Sequence, residues 1–302
     1  MRVVIAGSSG LIGGGLRAAY RRDGHEVVRL VRRPSQGPDE VSWDPARPDP
    51  GLVDGADAVI NLAGAPLGDR RWNAAYREVI ESSRVGTASA LAEMVSQAAS
   101  GASAGPALVS MSGIRYYGVD RGDETLTESS GAGSDGFLPL VTARWEAATR
   151  PAEESGVRVV HLRTALVLSA SGGLVPRLLT PFRFGLGATL GSGRAYWSFL
   201  TLHDAVAAIR FLAEHPEASG AYNLSAPAPV RAAEFTRALA GAVSRSAWLR
   251  LPVWALRVGV GQMGPEVLGS LRVLPERLTA AGFRFRDEDV EAAVRMALRD
   301  EP

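Results

Sequence analysis

A glycine cluster directly after the first apolar run constrains this chain more than any other feature. Residues 3–6 are short, apolar and mostly β-branched, and the next seven read Gly7-Ser8-Ser9-Gly10-Leu11-Ile12-Gly13. Leu11 to Arg22 has a helical pattern and ends at Asp23-Gly24, and His25 to Val31 predicts a second strand. A strand, a glycine turn, a helix and a strand in this order predict the first unit of a parallel sheet.

Glycines spaced three and three residues apart, between a strand and a helix, are typical of dinucleotide binding. They let the backbone approach a diphosphate, whose charge meets the free N–H groups and the positive end of the helix. The alternative is a tight turn without a ligand, but the complete βαβ unit favours the nucleotide. We therefore predict a diphosphate site formed by Gly7, Ser8, Ser9, Gly10, Leu11, Ile12 and Gly13.

The second strand ends in Arg32 and Arg33, where the ribose of a bound dinucleotide is expected. An NAD site places an acidic residue near this point, whereas guanidinium groups favour the 2′-phosphate of NADP. The alternative is a pair of solvated loop arginines. Because of their position, we predict NADP as the cofactor.

The alternation of strands and helices continues and predicts an α/β fold with a doubly wound parallel sheet, a Rossmann fold. Beyond Leu168 the pattern loosens into loops rich in glycine and proline, and the final part is mainly helical. We predict a Rossmann NADP-binding domain and a smaller C-terminal lobe on the substrate side. The predicted strands are 58–62, 107–110, 157–162 and 222–224, the helices 72–99, 137–154 and 203–214, the first domain 1–168 completed by 199–225, and the lobe 169–198 with 226–302.

Charge and composition exclude several classes of function. With 33 basic and 32 acidic residues the net charge is +1, so we expect no nucleic-acid partner. No apolar stretch is long enough to span a membrane, and we expect a cytoplasmic protein. The chain has no cysteine, and its four histidines show no metal-ligand spacing, so we expect no metal site.

Several further motifs carry a family resemblance. The sequence resembles the atypical extended short-chain dehydrogenases/reductases, in the NADP-binding epimerase family subgroup known as family 39U, over essentially its full length. The residues that carry it are Gly7 to Gly13, Asn61 to Gly64, Arg71-Trp72, Ser83-Arg84, Ser112, Tyr116-Tyr117-Gly118, Trp145-Glu146, Leu162-Arg163-Thr164, Pro181 to Gly187, Gly191-Ser192-Gly193, Val273 to Leu278 and Ala281-Gly282-Phe283.

The resemblance implies that the C-terminal lobe closes over the nicotinamide end of NADP. It implies that Arg32 meets the 2′-phosphate and that Arg84 and Arg163 also face the cofactor. Two alternatives stay open, because Arg84 also suits a surface helix position and Arg163 also suits a carboxylate partner such as Glu146. The ribose and adenine side would be lined by Leu62, Ala63 and Gly64.

Typical members of the superfamily use serine, tyrosine and lysine, with tyrosine and lysine four residues apart on one helix. This chain contains no lysine, and alignment on Glu146 puts Leu138 and Thr142 at the tyrosine and lysine positions. Only Ser112 remains.

We hypothesise that Ser112 binds a substrate carbonyl and that Tyr116 or Tyr117 places a phenol near the nicotinamide. Packing of both tyrosines against the end of the sheet is an equally open alternative. The resemblance also implies glycine where this chain has Arg115, which would reach an anionic substrate or lie in solvent.

Two functions follow from these features. The first is an NADP-dependent oxidoreductase or epimerase for a small carbonyl or sugar-type substrate. The second is an NADP(H)-binding sensor or regulatory protein without turnover, which the missing tyrosine–lysine pair favours. Residues 72–99 are a candidate homodimer helix.

Overall fold

The computed structural model describes residues 1–68, 70–100, 105–251 and 263–299. The strands are β1 (Arg2–Ala6), β2 (Glu26–Val31), β3 (Glu40–Ser42), β4 (Ala58–Asn61), β5 (Ala107–Gly113), β6 (Thr125–Leu126), β7 (Val159–Thr164), β8 (Leu166–Leu168), β9 (Ala188–Leu190), β10 (Tyr196–Trp197), β11 (Phe199–Thr201), β12 (Gly220–Leu224), β13 (Val230–Arg231), β14 (Leu249–Leu251) and β15 (Arg272–Val273). The α-helices are α1 (Leu11–Arg22), α2 (Ala74–Ala99), α3 (Phe137–Ala147), α4 (Arg150–Glu154), α5 (Val175–Arg183), α6 (Leu202–Glu214), α7 (Ala232–Ala242), α8 (Gly264–Leu268), α9 (Glu276–Ala280) and α10 (Val290–Arg299). Short 3-10 turns lie at Pro50–Val53 and Ile114–Tyr117. Among the helices in the described ranges, none is both long and apolar enough to cross a membrane.

Seven strands form one parallel sheet in the order β12-β7-β5-β4-β1-β2-β3. Val4 of β1 lies opposite Val28 of β2 on one side and opposite Val59 of β4 on the other. The predicted parallel α/β sheet is confirmed.

The sheet is buried on both faces because successive side chains of a strand point to opposite sides. Val3 and Ile5 pack in the cluster that holds α1 and α6. Val4 and Ala6 pack in the opposite cluster, with α2. Helices on both faces make the fold doubly wound, as predicted.

The chain changes direction across the sheet at β1. After β1 it builds β2 and β3 on one side, and then returns to build β4 and β5 on the other. The connections that leave β1 and β4 therefore diverge and open a crevice at the carboxyl ends of these strands. The glycine turn lies at this point.

One predicted helix is divided in two. Residues 137–154 form α3 and α4, because Pro151 has no N–H to donate to the carbonyl four residues earlier. Thr149 lies at the break, and its hydroxyl donates to the carbonyl of Glu146 at 2.8 Å.

The C-terminal part has an apolar cluster of its own. Leu179 of α5, Phe235 and Leu239 of α7, and Val294 of α10 pack together beside β11. Part of the predicted lobe, residues 252–262 and 300–302, lies outside the described residues. The division at residues 168, 199 and 225 stays a prediction.

Candidate functional site

Close backbone packing leaves no room for a side chain at two glycines of the turn. Gly7 has a φ of +83°, and a Cβ on it would lie 2.5 Å from the carbonyl carbon of Leu62. A Cβ on Gly13 would lie 2.4 Å from the carbonyl oxygen of Gly7. The turn therefore packs directly on the start of α1 and on the chain after β4, and side chains at these positions would push them apart.

The start of α1 faces an open cavity, which we call the outer cavity. The first N–H groups of an α-helix have no acceptor inside the helix, and Gly10 at the N-cap has no side chain to supply one. They remain available to an anion at a site of positive potential. The outer cavity has a volume of about 570 Å³ and is lined by Ala6, Gly7, Ser8, Ser9, Gly10, Arg29, Leu30, Val31, Arg32, Arg33, Trp43, Leu62, Ala63, Gly64, Pro66 and Thr87.

Three arginines line the outer cavity, and they differ in what they bind. Arg33 donates to both oxygens of Glu40 at 2.7 and 2.8 Å, and this contact lowers the pKa of Glu40 to about 2. Arg29 lies 2.7 Å from the same carboxylate and donates to Ser8 Oγ at 3.1 Å. Arg32 is exposed and forms no ion pair with any described residue. Of the two predicted phosphate-binding arginines, Arg32 alone has a free guanidinium.

The chain after β4 forms the opposite wall. Leu62, Ala63 and Gly64 line the outer cavity, and their contact with a cofactor stays a prediction. Ala63 N donates to the buried side chain of Asn61 at 3.2 Å, which holds this wall in place.

Arg84 lies behind that wall rather than in it. Its guanidinium donates to the carbonyls of Ile80 and Ala65, both at 3.0 Å, and packs against Gly64. Burial lowers the pKa of Arg84 to about 10. The structure therefore gives Arg84 the role of bracing the loop that lines the cavity.

Ser112, Tyr117 and Arg163 belong to one buried network. Arg163 donates to both oxygens of Glu146 at 2.8 Å, and Ser112 donates to Glu146 Oε1 at 2.7 Å. The hydroxyl of Tyr117 donates to Asn223 Oδ1 at 2.7 Å and accepts from Arg163 at 3.1 Å.

This network explains the charge states of its members. Burial on its own lowers the pKa of Arg163, but the hydrogen bonds to Glu146 and its charge raise it above the ordinary value. Burial raises the pKa of Tyr117, whose side chain is 0% exposed. Arg163 is a partner of Glu146, one of the two alternatives left open by the sequence.

None of the three predicted catalytic side chains lines a cavity described here. Ser112 and Tyr117 are committed to the buried network, and Tyr116 lies with its ring under the Arg163 guanidinium, 3.4 Å from Cζ to the ring centre. Tyr117 packs inside the end of the sheet, whereas Tyr116 is half-buried. The catalytic roles of Ser112, Tyr116 and Tyr117 stay predictions.

A second space continues from the outer cavity, and we call it the bridging cavity. It shares Gly7, Gly10 and Leu62 with the outer cavity. Its volume is about 300 Å³, and its walls are Gly7, Gly10, Leu11, Ile12, Gly13, Leu62, Met111, Ala165, Leu166, Val167, Gly173 and Leu174.

A third space, the apolar cavity, shares Ala165, Leu166 and Leu174 with the bridging cavity. It lies between the sheet end and the C-terminal part of the chain and has a volume of about 270 Å³. The three cavities therefore form one row. The apolar cavity is lined by Leu67, Trp72, Ile114, Arg115, Leu138, Thr164, Ala165, Leu166, Leu174, Tyr196, Trp197, Ser198, Met263, Glu266, Gly269 and Leu271.

Among the described residues that line the apolar cavity, Arg115 and Glu266 carry a charge. Arg115 Nη1 donates to the carbonyl of Val119 at 2.6 Å, Nη2 donates to the carbonyl of Glu266, and Nε lies 3.7 Å from Glu266 Oε2. Burial lowers the pKa of Arg115 and raises that of Glu266. Arg115 is thus largely buried, with 20% of its side chain exposed, and both of its Nη atoms already donate to backbone carbonyls.

Sequence reasoning missed Glu266. The available signal is that it is the sole acidic residue between Leu251 and Leu274. It also missed Arg29, which lies in β2 two residues before the end of that strand and gives no local sign of a contact with Ser8.

The row of cavities fits an extended dinucleotide. The glycine turn lines the outer and bridging cavities with backbone, the helix start offers free donors, and Arg32 offers an unpaired cation. Within the described ranges, histidine, aspartate and glutamate form no group of three or more that would hold a metal ion.

Comparisons with known proteins agree with this geometry. Residues 3–225 match the family model described as the NAD dependent epimerase/dehydratase family, and residues 251–297 match a domain of unknown function, DUF1731. An epimerase family protein of Mycobacterium bovis is 42% identical over 296 residues, which cover 97% of this chain and 96% of that protein. Epimerase family protein SDR39U1 of Homo sapiens is 33% identical over 300 residues, with 98% and 99% covered.

A solved structure is similar over its whole length. The crystal structure of human epimerase family protein SDR39U1, isoform 2, with NADPH superimposes with a TM-score of 0.89 at 30% identity and covers 100% of both chains. The parallel sheet, the crevice and the C-terminal part thus recur together in a relative whose crystal contains NADPH.

Proposed function

The chain belongs to the NAD dependent epimerase/dehydratase family, among the epimerase family proteins that include SDR39U1, and from this membership we propose that it is an NADP(H)-dependent oxidoreductase or epimerase for a small carbonyl or sugar-type substrate. In this proposal the outer and bridging cavities hold the dinucleotide, and the apolar cavity holds the substrate.

The row of three cavities carries the proposal. The outer and bridging cavities share the glycine turn, and the bridging and apolar cavities share Ala165, Leu166 and Leu174. A dinucleotide that begins at Arg32 and crosses the glycine turn has its other end next to the apolar cavity. Adjacent cofactor and substrate spaces are what hydride transfer requires.

The arrangement of charges supports NADP over NAD. Arg32 has no carboxylate partner among the described residues and suits a phosphate monoester. Glu40, the nearby carboxylate that a ribose hydroxyl could use, is neutralised by Arg29 and Arg33. The presence of NADPH in the crystal of the human relative points the same way.

Each wall of the row has a separate task in this proposal. A bound nicotinamide supplies or accepts a hydride. The amides at the start of α1 bind the diphosphate, Arg32 binds the 2′-phosphate, and Arg84 braces the loop of Gly64. The apolar side chains around the third cavity exclude water from the reacting groups.

A second candidate is an NADP(H)-binding sensor without turnover. It is favoured by the burial of Ser112 and Tyr117 in the Glu146–Arg163 network, and by Leu138 and Thr142 at the tyrosine and lysine positions.

The loss of NADPH fluorescence in the presence of aldehydes, ketones and imines separates the two functions. The oxidoreductase predicts decay with at least one compound, at a rate proportional to protein concentration. Tight binding of NADPH without decay across a broad panel supports the sensor instead.

A further inference from the structure

The carboxylate of Glu266 has one oxygen with a partner and one without. Its side chain is only 6% exposed, and Oε1 accepts from the backbone N–H of Leu138 at 3.2 Å. Oε2 is buried and has no hydrogen-bond partner among the described residues, and Arg115 Nε stands 3.7 Å away from it. Because buried polar atoms normally have a hydrogen-bond partner, the unpartnered Oε2 marks a position where a ligand could bind.

We propose that Glu266 is the proton donor and acceptor of this site, and that the substrate is a small, mostly apolar ketone or aldehyde, or the corresponding alcohol. The inference rests on the proposed function, which it deepens by naming the acid–base group and the substrate class.

The position of Glu266 fits this role. Leu138, which the family resemblance puts at the tyrosine position, lies in the first turn of α3 and gives its N–H to Glu266. Glu266 comes from the C-terminal part of the chain, and its carboxylate therefore lies at the same end of α3 as Leu138. Both residues line the apolar cavity.

The walls of the apolar cavity limit the substrate. Its volume of about 270 Å³ falls below the roughly 300–1,000 Å³ common for drug-sized ligands. A nucleotide sugar brings a diphosphate and many hydroxyl groups, but the cation here, Arg115, already donates to Val119 and Glu266. An apolar molecule with one oxygen matches the mostly apolar walls and the buried, unpartnered Oε2 of Glu266.

The surroundings of Glu266 favour its protonated form. Burial raises its pKa, and Asp135 adds to this. Arg115, the Leu138 N–H and Arg77 act in the opposite direction, and the net shift is upward. A buried carboxylic acid with a raised pKa suits general acid catalysis.

The atoms balance in the reducing direction. The carbonyl π bond breaks, a hydride from the reduced nicotinamide forms the new C–H bond, and the proton on Glu266 Oε2 forms the new O–H bond. The carbonyl carbon is reduced and the nicotinamide is oxidised. Glu266 is left as a carboxylate that regains a proton from solvent, and alcohol oxidation is the reverse.

The test uses the full chain with cyclohexanone as probe and Glu266→Gln as the variant. Glutamine keeps the size of the side chain and the contact with Leu138 but carries no titrating proton. We expect cyclohexanone reduction by NADPH to fall roughly 10²- to 10⁴-fold, with the Kd for NADPH unchanged. Glu291→Gln, on the exposed face of α10, is the matched control and should keep the full rate.

A second readout does not depend on turnover. In protein labelled with ¹³C at the glutamate δ-carbons, the signal missing from Glu266→Gln identifies Glu266. We expect it to titrate above the ordinary glutamate range and to shift when cyclohexanone is added, in wild type and in Glu291→Gln.

The outcomes separate the two proposals. If NADPH binds and Glu266→Gln reduces cyclohexanone at the wild-type rate, the role of Glu266 is refuted while the proposed function stands. If NADPH fails to bind, or no carbonyl is reduced, the proposed function fails and the ¹³C shift alone decides whether Glu266 binds the ketone. A Glu266 signal that ignores cyclohexanone overturns this inference in every case.

Discussion

Arg163 and Glu146 face each other through two parallel hydrogen bonds, from Nε to Oε1 and from Nη2 to Oε2, both 2.8 Å long. Their side chains are 6% and 11% exposed. The pair joins β7 to α3, and it also orders Ser112 and Tyr117. Residues that the family resemblance links to the cofactor and to catalysis thus stabilise the end of the sheet in this chain.

Replacing one partner of this pair should destabilise the fold. We expect Glu146→Gln to lower the free energy of unfolding by about 3–5 kcal/mol, because it leaves the Arg163 cation buried without a counter-charge. Chemical denaturation measures this directly. The exposed pair of Glu291 with Arg295 supplies the control, and Glu291→Gln should change stability by less than about 0.5 kcal/mol. Equal stability of the two variants would contradict the structural role of the pair.

The two adjacent tyrosines should respond differently to loss of the hydroxyl. Tyr117→Phe leaves Asn223 and Arg163 with an unpaired buried atom each, so we expect it to cost about 1–3 kcal/mol of unfolding free energy. Tyr116→Phe removes a hydroxyl that bonds to no described residue and should be close to neutral. Thermal or urea unfolding compares them. Loss of NADPH-dependent turnover in either variant, with the fold intact, would restore the catalytic hypothesis for that tyrosine.

Gly13 and Gly14 are adjacent in α1, and replacing each by alanine gives a matched pair of variants that tests the packing of the glycine turn. A Cβ on Gly13 meets the Gly7 carbonyl oxygen at 2.4 Å, whereas a Cβ on Gly14 meets nothing within 4 Å. We expect Gly13→Ala to lose about 1–3 kcal/mol of stability and to bind NADPH more weakly. Gly14→Ala should be neutral or gain about 0.5–1 kcal/mol, as alanine suits a helix better than glycine. Equal NADPH affinities for both variants would exclude the close approach as a requirement for binding.

Local patterns were sufficient for the fold. The β-branched strands, the glycine turn and the helical spacing of α1 and α2 lie in consecutive residues, and the structure confirms the parallel sheet built from them. The family resemblance is confirmed as well. The predicted single helix over 137–154 was wrong because Pro151 interrupts it.

Contacts distant in sequence were beyond such reasoning. Glu266 meets the N–H of Leu138 across 128 residues, and Tyr117 meets Asn223 across 106. Whether Arg33 is free depends on Glu40, which β3 carries beside β2. Residue types alone do not reveal which polar groups pair with each other in the fold. These pairings decide which polar groups remain available to a ligand.

Calorimetric titration with NADPH and NADH, for wild type, Arg32→Ala and the exposed control Arg22→Ala, measures whether Arg32 binds the 2′-phosphate. We expect wild type and Arg22→Ala to bind NADPH more tightly than NADH. We expect Arg32→Ala to weaken the binding of NADPH alone, by about 1.5–3 kcal/mol, or roughly 10- to 150-fold in Kd. No heat with either dinucleotide, or an Arg32→Ala variant that still prefers NADPH as wild type does, would contradict these expectations.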